Sequence, residues 1–214
     1  MIKKFLMTLL TVSLLLINGT QNTSAKELDY GDYIQVINNE TQEVIDIEVK
    51  EITTRTVPTE SDSATYNLTN SYAEEVEIEF DIPELKDKMS RSSSDSSNNH
   101  GDFVAYLKIN YQTSGTASLP TIKVTSVSGN WKCNATSYTA RFENREVLVK
   151  QGNWLYDDTL VKYPTSNSFS YSTGWGYVDD LPKTDYSGVY AFSTAKAIIN
   201  GMGGGYTLNV SITR

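Results

Sequence analysis

The stretch EEVEIEFDI, residues 74–82, decides the fold. Val76, Ile78, Phe80 and Ile82 fall on one face of an extended chain, and Glu75, Glu77, Glu79 and Asp81 fall on the other. A helix, repeating about every 3.6 residues, would scatter those apolar side chains around its circumference. Strict alternation is the period of a strand with one face in a core and one in water. Two further stretches share the pattern. In FVAYLKINY (103–111), Phe103, Ala105, Leu107, Ile109 and Tyr111 lie on one face, and in YTLNVSI (206–212) Tyr206, Leu208, Val210 and Ile212 do the same.

Weaker alternation predicts more strands. YIQVIN (33–38) and EVIDIEVKEI (43–52) read as a hairpin joined through Asn38, Asn39, Glu40 and Thr41, and TIKVTSV starts another strand at Thr121. SYTARF and EVLVK flank the short ENR (143–145) and read as a second hairpin. A helical turn is expected after Pro83, since proline suits the first position of a helix. STAKAII (193–199) carries a serine or threonine cap signal and Gly201 as a stop, but VYAFS ahead of it continues an extended pattern, so a strand is expected there too. Many strands separated by turn residues, with no long helical periodicity, predict an all-β fold: antiparallel sheets packed as a β-sandwich. TDYSGVY (184–190) resembles the tyrosine corner of immunoglobulin-like domains. Their paired cysteines are missing, so that resemblance extends to architecture and not to the family.

The amino terminus predicts the compartment. Lys3 and Lys4 precede an apolar run from Phe5 to Ile17, followed by a polar stretch ending in Thr23, Ser24 and Ala25. That order is the pattern of a secretory signal over residues 1–25. The run is 13 residues, short of the roughly 20 that a membrane-spanning helix needs, and nothing later approaches it. A secreted, extracellular chain beginning near Lys26 and without a transmembrane segment is therefore expected. From Ser90 to Ser97 six of eight residues are serine, and NNHGD follows. So polar a run cannot offset its ordering entropy by burial. It reads as a loop or linker over 91–102, between a strand-rich N-terminal part (26–90) and a main sandwich domain (103–214).

Charge and composition exclude several functions. The chain has 18 Lys and Arg against 26 Asp and Glu, and the loss of Lys3 and Lys4 with the signal lowers the net charge from −8 to −10. Such a chain repels phosphate backbones and anionic bilayers, which argues against nucleic acid as a partner and against attack on membranes. One cysteine, Cys133, cannot form an internal disulfide, so stability must come from packing. One histidine, His100, lies in the serine-rich run, where an imidazole would not be held beside a nucleophile. One His and one Cys also fail to fill a usual zinc site, and no cofactor motif is present. NGMGGGY (200–206) places its glycines out of step with a dinucleotide-binding loop and runs into a strand, so it reads as a hairpin connection.

Carboxylates remain as candidate chemistry. Glu75, Glu77, Glu79 and Asp81 are spaced about 6.5 to 7 Å along one face, superficially suited to a glycan hydrolase. Alternating charge is more simply the solvated face of a sheet, and it discourages edge aggregation. YDD (156–158) and VDDLPKTD (178–185) could offer oxygens to calcium but lack the spacing of a calcium loop and suit turns.

The aromatic residues carry the expectation of binding. The chain has 14 Tyr, 3 Trp and 6 Phe, and these are dense between Trp154 and Tyr190. In TSNSFSYSTGWGYVDD (165–180), Phe169 and Tyr171 share a face opposite Ser168, Ser170 and Ser172, and so should point into the core. Trp175 sits between Gly174 and Gly176, with Tyr177 next, at the loop end of that strand. Trp175 and Tyr177, with Trp154 and Tyr156, are the ligand-binding candidates, because Trp and Tyr present a flat apolar body with a polar edge to sugars or protein partners. No catalytic residue and no metal ligand is expected.

The segments IKVTSVSGNW, ENREVLVKQG and PTSNSFSYSTGW, and the closing strand after glycines, resemble a group of uncharacterised small secreted proteins of Gram-positive bacteria, over roughly Thr121 to Arg214. That resemblance implies a secreted β-rich domain and carries no functional residue. The leading expectation is a non-enzymatic extracellular module that binds a surface glycan or protein. A secreted membrane-active effector and a carboxylate-dependent glycan hydrolase are the alternatives.

Overall fold

The structure, a computed structural model, describes residues 33–61, 69–89, 100–116, 119–152, 157–180 and 188–214. The expected signal segment, Trp154, Tyr156, most of the serine-rich run and most of TDYSGVY lie outside the described residues.

Among the described residues, eleven strands and one short helix follow one another as β1 (Tyr33–Asn38), β2 (Glu48–Ser61), β3 (Asn70–Asp81), α1 (Pro83–Met89), β4 (Phe103–Thr116), β5 (Leu119–Cys133), β6 (Ala140–Gly152), β7 (Asp157–Lys162), β8 (Ser168–Ser172), β9 (Val178–Asp179), β10 (Gly188–Ile199) and β11 (Tyr206–Thr213). All pairings are antiparallel. One sheet runs β1-β11-β10-β6-β7 and the other β2-β3-β4-β5-β8, with β9 also on β5. The all-β sandwich is thus the fold, and it has one cysteine and no disulfide.

The core is built by the alternation read above. Val76, Ile78 and Phe80 stand opposite Leu107, Ala105 and Phe103, and all six are buried. From the other sheet Leu208, Val210 and Ile212 meet them, with Ala191, Ala195 and Ala197 of β10 alongside. Small residues on β10 leave room for large ones across the gap, which is how two facing sheets interdigitate. Phe169 also finds such room. It lies opposite Gly129, where a Cβ would stand 2.6 Å from its ring.

Several local expectations change. The ENR segment is not a turn, because β6 runs unbroken from Ala140 to Gly152. Its register against β10 shifts between Thr194 and Lys196, and Asn144 takes φ 48°. This bulge takes positive φ at Asn144, as some tight turns also do, and asparagine tolerates that conformation in either setting. The turn at Asn38 does close, with Asn38 N–H donating to Glu43 O at 2.9 Å and Ile45 N–H to Val36 O at 2.9 Å. Beyond the Ile37–Val44 bridge, however, the chain leaves for the opposite sheet, so β1 and β2 are not a hairpin. Strands from before and after the serine-rich run share both sheets. β1 pairs with β11, and β2 and β3 extend the sheet that contains β4 and β5. Residues 193–199 are strand, as read, and Pro83 opens α1.

Candidate functional site

Two polar clusters and an aromatic segment lie at one end of the sandwich, where β6 faces β5 and the end of β11 faces β3 and β4. Gln151 stands in phase with Val147 and Val149 and so points into the core, where it is 1% exposed. Burial is tolerated because every polar atom is paired. Its Oε1 accepts from Val124 N–H of the opposite sheet at 2.7 Å. Its Nε2 donates to Asp158 Oδ2 at 2.9 Å and to Gly176 O at 3.0 Å. One amide therefore joins β6, β5, β7 and the 173–177 segment.

Glu74 is a second polar residue on an inward phase. It lies opposite Ile109, on the apolar face of β3, two positions before Val76. The Tyr111 hydroxyl donates to its Oε1 at 2.9 Å, and Arg214 Nε, from the opposite sheet, lies 3.4 Å from the same oxygen. The Arg214 guanidinium also covers the Tyr111 ring, 4.4 Å from its centroid, and reaches Asp180 at 3.5 Å. Burial pushes the Glu74 carboxyl above its ordinary value, against the pull of Tyr111 and Arg214. Burial first, and then the Glu74 charge, hold the Tyr111 phenol protonated well above its ordinary range.

The aromatic segment rests on this frame. Thr173 N–H donates to Thr125 O at 3.0 Å, its Oγ1 donates to Val124 O at 2.5 Å, and Val178 pairs with Ile122. Gly174 takes φ 72° with open space where a Cβ would stand, so the chain can turn without contact. Trp175 is half-buried and packs against the core. Tyr177 is 41% exposed. Its hydroxyl donates to Gln112 Oε1 at 3.3 Å, and Lys123 Nζ sits 4.7 Å above its ring. Of the four candidates, the described residues contain these two, and of those Tyr177 is the more exposed. Phe169 and Tyr171 stack at 5.9 Å, with Phe169 buried as read.

The other candidate chemistries are engaged elsewhere. Glu75 accepts from the Tyr106 hydroxyl at 3.0 Å and pairs with Lys108 at 3.4 Å. Glu79 accepts from Gly101 N–H at 3.2 Å and meets His100 Nδ1 at 3.3 Å on the surface. Asp81, 2% exposed, accepts from Asp102 N–H at 2.8 Å. These carboxylates lie along an outer sheet face and not across a cleft. Asp157 is bound by Lys150 and Thr159, and among the described residues no three His, Cys, Asp or Glu side chains group to hold a metal. A pocket at the opposite end, lined by Asn38, Glu40, Gly204 and Tyr206 among others, encloses about 10 Å³, the room of one water.

Sequence reasoning did not single out Gln112, Lys123, Gln151 or Glu74. For Gln151 and Glu74 a signal existed, since each interrupts an apolar phase with a polar residue. Gln112 and Lys123 lie on solvated phases and carry none.

The class defined by fold and site is an antiparallel β-sandwich with an aromatic segment clamped at one end. Compared with known proteins, the chain matches no family model, no curated protein and no solved structure.

Proposed function

We propose that the chain is an exported, non-catalytic module that binds an extracellular glycan or protein through the end of the sandwich bearing Trp175 and Tyr177. The observation that carries this reading is the fixing of Tyr177. An exposed aromatic ring is held at both its hydroxyl, by Gln112, and its face, by Lys123, on a segment tied to the buried Gln151. A ring already held in place loses little freedom when a ligand settles on it, which is what makes rigid aromatics good anchors. Lys123 covers one face, so the other is the one a flat apolar sugar face or a protein side chain would meet. The Gln112 amide and the Lys123 ammonium supply the hydrogen bonds that would orient it. Export rests on the signal pattern of residues 1–25.

The test is a glycan array together with a pull-down of extracellular proteins, using the chain from Lys26 onward and its Tyr177→Ala and Trp175→Ala variants. Loss of a central aromatic anchor should weaken binding by about 30-fold or more for Tyr177→Ala, with the thermal midpoint unchanged because the ring is exposed. An unchanged affinity in Tyr177→Ala, or a chain that retains neither glycan nor protein, overturns the proposal. Retention by the array or by the pull-down separates the two partner classes.

A further inference from the structure

The strand β2 ends its sheet. Among the described residues its far side has no strand partner, and Glu51, Ile52 and residues 54–58 are exposed. A bare edge is a template for another strand, and proteins restrict it with bulges, prolines and charges. Here those devices bracket a window without closing it. The register against β3 shifts between Val49 and Glu51, and Pro58 removes a backbone donor. Between them lies EITTRTV, residues 51–57, in which Ile52, Thr53, Thr54, Thr56 and Val57 are β-branched. That composition favours an extended, paired strand.

The charges in the window select a partner. Glu51, Thr53 and Arg55 point to the outer face, opposite Glu79, Glu77 and Glu75 of β3. Among the described residues Arg55 forms no ion pair, and Glu51 is met by the Thr53 hydroxyl at 3.4 Å. If a second β2 runs antiparallel with Thr53 on the two-fold axis, Glu51 faces Arg55 of the other copy and Arg55 faces its Glu51. Both pairs then lie on the same face, as directly opposed residues must. Moving the axis to Thr54 sets Glu51 against Val57, and a parallel pairing in register sets like charge against like. One register of one strand satisfies both charges twice, and the strand that supplies it is β2 itself.

We infer that β2 is a self-association edge, and that two copies of the chain join antiparallel through residues 51–57 to make one sheet across the dimer. The two-fold contact is self-complementary, as an isologous interface requires.

Sedimentation of the chain from Lys26 onward, with charge-swap variants, tests this. The wild type should associate reversibly as a dimer. Glu51→Arg and Arg55→Glu should each weaken the dimer by at least about tenfold, because two symmetric pairs become repulsive. Glu51→Arg/Arg55→Glu should restore the dissociation constant to within about threefold of the wild type. Circular dichroism of each variant confirms that the monomer fold is kept. A wild type that stays monomeric into the millimolar range, single variants that associate as well as the wild type, or a double variant as weak as the singles overturns the inference.

Discussion

Replacing Gln151 by leucine tests whether the two sheets and the aromatic segment share one tether. Leucine has nearly the volume of glutamine, so the change opens no cavity and isolates the hydrogen bonds. Val124 is fully buried, and its N–H, 2.7 Å from Gln151 Oε1, loses its acceptor with no access to water. An orphaned buried donor costs about 1–3 kcal/mol. Asp158 and Gly176 are reached by solvent, so the loss of Nε2 at 2.9 and 3.0 Å costs about 0.5 kcal/mol each, and better apolar packing by leucine offsets about 1 kcal/mol. The net destabilisation is about 2 kcal/mol. With a urea slope of about 2 kcal/mol per molar, the midpoint should fall by about 1 M at unchanged slope. Gln151→Glu sharpens the test. Its carboxylate still accepts from Val124, but the second oxygen faces the Asp158 carboxylate and the Gly176 carbonyl with no proton between them. That variant should be less stable than leucine at neutral pH and recover as its carboxyl takes up a proton. A Gln151→Leu midpoint within about 0.5 kcal/mol of the wild type would refute the tether.

Two further outcomes follow from buried contacts. The native Glu74 carboxyl is raised by burial, so its contribution to stability is full below the ordinary carboxyl value of 4.5 and is lost as pH rises through the native value. In Glu74→Gln that loss is absent, and the variant should gain on the wild type as pH rises through that window in urea titrations; a pH-independent difference would show that the carboxyl is not strained. At Gly129 an added methyl would stand 2.5 Å from Tyr106 O and 2.6 Å from Phe169 Cζ. The ring can swing but the carbonyl is held by the sheet, so Gly129→Ala should cost about 1–3 kcal/mol and lower the thermal midpoint by about 3–10 °C, and an unchanged midpoint would count against the packing of β8 on β5.

The fold was legible because one physical signal dominates it. Alternation at 76–82, 103–111 and 206–212 places a face in the core whatever the neighbouring strands do, and those segments are β3, β4 and β11. Connections were less legible, because a local sequence specifies local backbone and not the destination of the next strand. Glu143, Asn144 and Arg145 suit a bulge as well as a turn, and the sheet pairing with β10 chooses between them. The turn at Asn38 forms as read, yet whether the following chain stays beside β1 depends on β3, which offers Val49 and Ile52 long partners in Phe80 and Ile78.

The site divides along a similar line. A polar residue on the apolar phase of a strand survives only when its hydrogen bonds are met inside, and in a sandwich the inside is the other sheet. Gln151 reaches Val124, Glu74 reaches Arg214, and Ser193, in phase with Ala191 and Ala195, accepts from Trp131 Nε1 at 3.2 Å, so that each phase violation is a bond between the layers. Such residues can therefore be located from alternation alone once the strand is known. Tyr177 offers no comparable mark. Its neighbours Gln112 and Lys123 come from β4 and β5, separated from it by more than fifty positions, and their side chains follow the solvated phase like any others. What fixes the ring is the pairing of β9 with the far end of β5, a tertiary event between two short stretches with no strong pattern of their own. A surface site assembled in that way is written in the topology, and the residues that make it become distinguishable only when the sheets are in place.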